Sequence, residues 1–317
     1  MTSPSDSPAT FSRHGGLWTD RLDAQEELQR RLASGAVAGD QGPLIHNWIR
    51  DGFVILEGAV STETCEGILA EAEQAWAGAF GSVYCEHYVE GELRMSWPRP
   101  ELRHQPHKLT NLQGECTKVR EAFFAPRVMA FLRAVFEDDP LAMTTLLFER
   151  GTRQPIHQDT AFVPVEGSPL ELCASWLALE DVREGSGELE YFVGSHRIPE
   201  IKFPGTDGKR IPAEFSTDPA YPLELHARCQ AMGLRLQRFL PKRGDLLIWS
   251  ADLVHGGRMD IEPEGTRKSL VTHYCPKRRD PGYFAEYKHS GKQALPSGGA
   301  VCWYEHPKLG LRNTPRS

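Results

Sequence analysis

Met143-Thr144-Thr145-Leu146-Leu147-Phe148-Glu149 and, a few residues on, Gln154-Pro155-Ile156-His157-Gln158-Asp159 set the texture of the second half of this chain. Residues 143–149 and 156–163 read as two short strands, parted by Gly151 and Pro155. Similar runs follow at 171–178, 188–193, 234–239, 245–250 and 268–274. Gly167, Gly185, Gly187, Gly194 and Gly244 punctuate them. Many short strands at such spacing predict an antiparallel sandwich or barrel.

Upstream the period changes. Trp18, Leu22, Leu28 and Leu32 recur at helical spacing until Gly35 stops the run. A second helix starts at Pro43 and ends at Gly52. Phe53-Val54-Ile55-Leu56 reads as a strand, Ser61 caps a third helix, and 119–136 reads as a fourth. Residues 1–16 are polar and Ser/Pro-rich, which predicts a disordered tail. The rest, 17–317, reads as a single α+β domain. It has a helical layer at about 17–138, a β core at about 139–275 and a C-terminal segment at 276–317. A Pro-interrupted insertion, 198–243, would lie over one mouth of the sheet.

Composition narrows the function. With 40% hydrophobic and 25% charged residues among 317, wholesale disorder is excluded. A net charge of -7 argues against nucleic-acid binding. The purest apolar runs, such as Phe53 to Leu56, hold about four residues against the roughly 20 of a membrane span. The N-terminus has neither the basic end nor the apolar stretch of a secretory leader. Seven scattered cysteines without a Cys-x-x-Cys fit a reducing cytoplasm, so a cytoplasmic location is expected.

There is no P-loop, no dinucleotide glycine fingerprint, no Gly-x-Ser-x-Gly elbow and no His-Glu-x-x-His. Three features remain. In a strand, His157 and Asp159 would share a face and converge on one point. His255 follows the apolar run 246–249 and is itself followed by Gly256 and Gly257, where backbone can approach closely. Arg267 and Ser269 would share a face at the head of the strand leading to Tyr274, and an Arg fork binds a carboxylate in two parallel bonds. Taken singly, each has a plain structural reading: a hydrogen-bonded pair, a buried His, a surface Arg. Together they are the parts of a 2-His-1-carboxylate site with a bound oxo-acid, the arrangement of non-haem Fe(II) oxygenases.

These pieces resemble the phytanoyl-CoA dioxygenase-like group of Fe(II)/2-oxoglutarate oxygenases over roughly residues 44–275. The likeness runs through Ile49-Arg50-Asp51-Gly52-Phe53-Val54-Ile55-Leu56, His157-Gln158-Asp159 and Ala174-Ser175-Trp176-Leu177-Ala178-Leu179-Glu180-Asp181. It continues in Gly187-Glu188-Leu189-Glu190, Gly194-Ser195-His196-Arg197, Gly244-Asp245, His255-Gly256 and Arg267. Ser186 and Val193 depart from the group's usual turn residues. The resemblance implies a double-stranded β-helix (jelly roll, cupin-like) core with flanking N-terminal helices. It implies that His157, Asp159 and His255 hold Fe(II), and that 2-oxoglutarate chelates the metal while Arg267 pairs with its far carboxylate and Ser269 assists. Dioxygen would complete the site. Trp176 would stand on the cofactor wall or in the core, and Lys108 sits where some relatives have a cofactor-contacting Lys. Related halogenases carry a small residue in place of the carboxylate, so Asp159 implies hydroxylation of a small molecule with release of succinate and CO2, or desaturation, epimerisation or ring formation by the same chemistry.

The motifs specify neither the substrate nor an oligomeric state. Eight basic residues against three acids after Cys275, with more basic residues in the insertion, would favour an anionic substrate if they bordered the mouth. A jelly roll can also be a non-catalytic binding protein. The presence of all three ligand candidates and Arg267 favours an enzyme.

Overall fold

The computed structural model of the chain describes residues 9–90, 92–151, 154–203, 209–212, 216–259, 265–287 and 289–312. Helices α1 (Ala24–Ser34) and α2 (Gly42–Asp51) lead into strand β1 (Phe53–Leu56). Gly52 ends α2 at φ 83, a left-handed conformation that the following strand needs and that glycine takes without steric cost. Helix α3 (Thr62–Trp76) is capped by Ser61, whose Oγ accepts from the Thr64 N–H at 3.1 Å. Strands β2 (Tyr84–Val89), β3 (Glu92–Ser96) and β4 (His107–Thr110) come next, where no strand is predicted from the sequence. The predicted helix at 119–136 is two helices, α4 (Thr117–Phe123) and α5 (Pro126–Phe136). Pro126 excludes the helical conformation at Ala125, which sits at ψ 139.

The β core follows: β5 (Pro140–Phe148), β6 (Cys173–Ala178), β7 (Leu189–Phe192), helix α6 (Ala220–Ala231), β8 (Leu236–Phe239), β9 (Leu246–Ser250), β10 (His255–Gly257), β11 (Ser269–Pro276), β12 (Ser290–Ala294) and β13 (Ala300–Tyr304). The large sheet runs β1-β9-β6-β11-β5-β4-β2-β3, with β13 alongside β5 and paired to β12. A small sheet, β10-β7-β8, faces it. Alternation sorts the side chains. Trp176, Leu247, Trp249 and Val271 point between the two sheets, while Leu177, Leu246, Ile248 and Leu270 pack under the helices. The result is an α+β jelly roll with a helical layer on its large sheet.

Four expectations are corrected. Residues 156–163 are not a strand: His157 makes one isolated bridge, and Asp159–Ala161 is a 3-10 turn. The predicted tail falls partly on residues 1–8, outside the described residues. From Ala9 on the chain is tied down, with Leu22 N–H donating to the Ala9 carbonyl at 2.9 Å and Phe11 N–H to the Asp20 carbonyl at 3.1 Å. The insertion 198–243 is not irregular up to its expected strand, here β8, since it also holds α6. Nor do its described residues cover the mouth. Its Ile198, Phe203, Ile211, Tyr221 and Leu225 cluster with Phe192, while Tyr191, the neighbour of opposite face, packs between the sheets. The described part of the insertion therefore backs the outer side of the small sheet. No described helix is long and apolar enough to cross a membrane.

Candidate metal centre

Two segments meet at the end of the jelly roll. His157 and His255 exchange backbone hydrogen bonds of 2.8 and 3.0 Å, and Gly257 N–H donates to the Gln154 carbonyl at 2.9 Å. Gly256 permits this approach. A Cβ there would lie 2.9 Å from both the Gln154 oxygen and the Ile156 nitrogen. The 3-10 turn then swings the Asp159 carboxylate back toward both rings. Its Oδ1 lies 3.6 Å from Nε2 of His157 and 3.6 Å from Nε2 of His255. The ligand atoms of the three buried residues all lie within 4.8 Å of one another.

Each ring has its tautomer fixed by backbone. His157 Nδ1 donates to the Pro155 carbonyl and His255 Nδ1 to the Leu253 carbonyl, each at 2.9 Å. The Nε2 lone pairs are thereby turned toward Asp159, the orientation a metal ligand needs. Burial pushes the His255 imidazole down to about 4 against the pull of Asp159, so the ring is neutral near pH 7. Burial alone would raise the Asp159 carboxyl. The imidazoles of His255, His273 and His157 outweigh it and hold the group well below the usual carboxylate range. Asp159 Oδ2 faces away from His157 and His255. It accepts the Trp249 Nε1–H at 2.8 Å and lies 3.5 Å from His273 Nε2. Neither residue was singled out from the sequence. The period of two along Arg267, Ser269, Val271 and His273 carried the signal for the second.

A cavity of about 370 Å³ opens over this cluster. Arg267 lines it from one side, its guanidinium 5.3 Å from the Trp176 ring and 5.6 Å from the Phe148 ring. It donates once, to the Gly187 carbonyl at 2.8 Å. Burial lowers the guanidinium to about 10, which leaves it charged at neutral pH. Arg267 Nε and Ser269 Oγ are buried without a hydrogen-bond partner among the described residues. A buried cation with a spare donor beside a spare hydroxyl fits an anionic group that has still to arrive. Trp176 lines the cavity and is at the same time 2% exposed, so wall and core coincide. Lys108 also lines it, with its ammonium 2.9 Å from Glu86.

The C-terminal segment reaches the cavity through Tyr283, Tyr287 and Tyr304. Among the described residues the insertion contributes nothing to the lining. Its Lys209 instead ion-pairs with Asp252 behind the centre. The same Asp252 accepts Thr160 Oγ1–H at 2.6 Å, and its carbonyl accepts Gln158 Nε2–H at 2.7 Å. One acid thus staples the two ligand-bearing segments together. Several of the basic residues that raised the idea of an anionic substrate are paired elsewhere. Arg278 and Arg279 hold Glu171 at 2.8 Å, and Lys292 holds Asp280 at 2.7 Å. None of the described basic residues of either segment lines the cavity.

Comparison with known proteins agrees with this architecture. The peroxisomal phytanoyl-CoA dioxygenase of Rattus norvegicus is 26% identical over 165 residues, 50% of this chain and 43% of that protein. Its Homo sapiens counterpart is 25% identical over 163 residues, 51% of this chain and 43% of that protein. The chain thus spans less than half the length of the curated relatives it matches. Among solved structures, the epimerase SnoN in complex with Fe3+, alpha ketoglutarate and nogalamycin RO superposes with a TM-score of 0.54 at 17% identity, covering 87% of this chain and 98% of that one. The alpha ketoglutarate dependent carbocyclase SnoK gives 0.55 at 14% identity, covering 81% and 94%. EctD from S. alaskensis with 2-oxoglutarate and 5-hydroxyectoine gives 0.52 at 17%, covering 73% and 74%. At such identities the likeness is one of fold. The family model for phytanoyl-CoA dioxygenase (PhyH) matches residues 48–260, a stretch that contains the whole His157–Asp159–His255 cluster, and the chain belongs to that family.

Proposed function

We propose that the chain is an Fe(II)- and 2-oxoglutarate-dependent dioxygenase that hydroxylates a C–H bond of a small molecule. The observation that carries the reading is one cavity lined by a buried His-Asp-His cluster and by buried Arg267, whose Nε has no partner among the described residues; Ser269 Oγ, two residues along, is likewise buried and unpartnered. Two imidazoles and one carboxylate suit Fe(II) and leave three coordination positions open. When bound, iron with 2-oxoglutarate and dioxygen supplies oxidative decarboxylation to succinate and CO2 and the power to break a C–H bond.

The chain's own residues orient and exclude. His157, Asp159 and His255 hold the metal on one face. Arg267 takes the far carboxylate of 2-oxoglutarate, with Ser269 Oγ as a further donor. Phe148 and Trp176 pack against the guanidinium and keep water from that end, which strengthens the ion pair. Lys108, paired with Glu86, faces the same cavity. Tyr283, Tyr287 and Tyr304 border the space left for substrate.

Asp159 supports oxygen insertion over halide transfer, because a carboxylate occupies the position a halide would need. Epimerisation and ring closure need the same parts, and SnoN and SnoK are named for those outcomes. The test is anaerobic loading with Fe(II), then 2-oxoglutarate, oxygen and a panel of small molecules, with succinate and product mass measured. Substrate-dependent succinate with a product heavier by one oxygen atom is expected. An unchanged mass would mean epimerisation, and a loss of two hydrogens desaturation or ring closure. Failure to bind both Fe(II) and 2-oxoglutarate would refute the reading.

A further inference from the structure

The Asp159 carboxylate offers its two oxygens to different neighbours. Oδ1 lies 3.6 Å from each of the two Nε2 atoms. Oδ2 lies against Trp249 Nε1, at 2.8 Å, and His273 Nε2, at 3.5 Å. Trp249 is on β9 and His273 on β11, strands of the large sheet that lie on either side of β6. All three side chains are buried. A carboxylate free to rotate can chelate a metal through both oxygens. Here rotation would break the indole hydrogen bond inside a packed core, where an orphaned N–H carries the full desolvation penalty.

Resting on the metal-site reading above, we infer that Trp249 and His273 are positioning residues that make Asp159 a one-oxygen ligand. The consequence is a matter of vacancies. An octahedral ion has six positions. Three taken by His157, Asp159 and His255 leave two for the 2-oxo acid and one for dioxygen. A second oxygen from Asp159 would fill one of them. The clamp thus keeps the open face open, by holding Asp159 Oδ2 with two side chains that themselves line the cavity. The two clamping groups are independent, one a fixed indole donor and the other an imidazole on the strand that begins at Ser269, two residues after Arg267. The strand that places the cofactor-binding pair therefore also sets the metal's carboxylate.

The test uses metal-free full-length protein titrated with Mn(II) for affinity and Co(II) for its visible ligand-field spectrum, so that no turnover is needed. Trp249→Phe keeps a ring in the core and removes the donor. His273→Phe does the same on the other side, and His273→Gln returns an N–H. Expected are Mn(II) affinities about 10–100-fold weaker in Trp249→Phe and His273→Phe, with a changed Co(II) band shape that reports altered coordination, and recovery of most of both in His273→Gln. Affinity and spectrum unchanged in both Phe variants would overturn the inference while leaving the metal site standing. So would a His273→Gln variant no better than His273→Phe, since ring packing and not the N–H would then be what matters. If Trp249→Phe does not fold, the two His273 variants decide the question alone. Wild-type protein that binds neither ion would overturn the site reading itself, and the clamp with it.

Discussion

The three ligand candidates owe their aim to neighbours. Backbone carbonyls of Pro155 and Leu253 turn the two rings, and a 3-10 turn aims the carboxylate. Replacing His157, Asp159 or His255 with Ala is therefore expected to abolish metal binding and turnover with little change in the far-ultraviolet circular dichroism of the metal-free protein. Arg267→Ala is expected to weaken 2-oxoglutarate binding by about 2–5 kcal/mol, because the buried carboxylate loses its partner. Arg267→Lys is expected to recover little, since an ammonium cannot reproduce the planar fork. Calorimetric titration of 2-oxoglutarate into metal-loaded protein checks both. At this scale the sequence was informative but for a partly mistaken reason. His157 and Asp159 converge as expected from their spacing, yet through a turn and not along a strand. Trp249 and His273 escaped notice because an apolar run and a strand interior hide polar atoms whose partners are distant in sequence.

Elements hold the site by close approach. The segment around His157 lies on β10 only because residue 256 has no side chain. Gly256→Ala is expected to push the two ligand-bearing segments apart, at a cost of about 1–3 kcal/mol in stability and with weaker metal binding, seen as a lower melting temperature and a weaker Mn(II) titration. Behind them, Asp252→Ala would leave Lys209 buried and unpaired. A loss of about 3–5 kcal/mol is expected, while Lys209→Met should cost much less. Denaturant unfolding of the two variants makes the comparison. Helix caps at Ser61 and Gly52 were legible because they are local chemistry. The break at Pro126 was written in the sequence too, but the apolar period runs through it and masks it. Strands β2, β3 and β4 carry polar, half-exposed faces, so hydrophobic alternation does not announce them.

Over the whole molecule, roles expected of two segments are divided differently. Composition marks the insertion and the C-terminal segment alike as basic and irregular. Only tertiary packing tells that the latter borders the cavity and the former braces the back of the small sheet. Charge counting has the same limit, since it does not see which acid each base will meet. Acid sensitivity is a property of the entire fold. Burial holds His255 at about 4 and His196 at about 3, below the 6.5 of an exposed ring. The unfolded chain binds these protons first, so the stability they contribute is present above pH 6.5 and is lost as pH falls through the folded values. Buried Asp20, pushed up to about 7, works in the opposite direction over the same range, so the histidine contribution is read by difference: between pH 7.5 and pH 5 a metal-free His196→Phe variant is expected to lose less stability to denaturant than the unaltered protein. Mn(II) at a hundred times its dissociation constant should add about 2.7 kcal/mol at neutral pH, and less in acid as His255 protonates.

The Trp249 indole, with its ring centroid 4.6 Å from that of His255, is also a built-in optical gauge. An open-shell ion at that distance drains the excited state of an indole, whereas a closed-shell ion of similar size does not. Tryptophan emission should dim as Co(II) fills the centre and should change far less with Zn(II), so that occupancy can be followed by light alone, without any substrate.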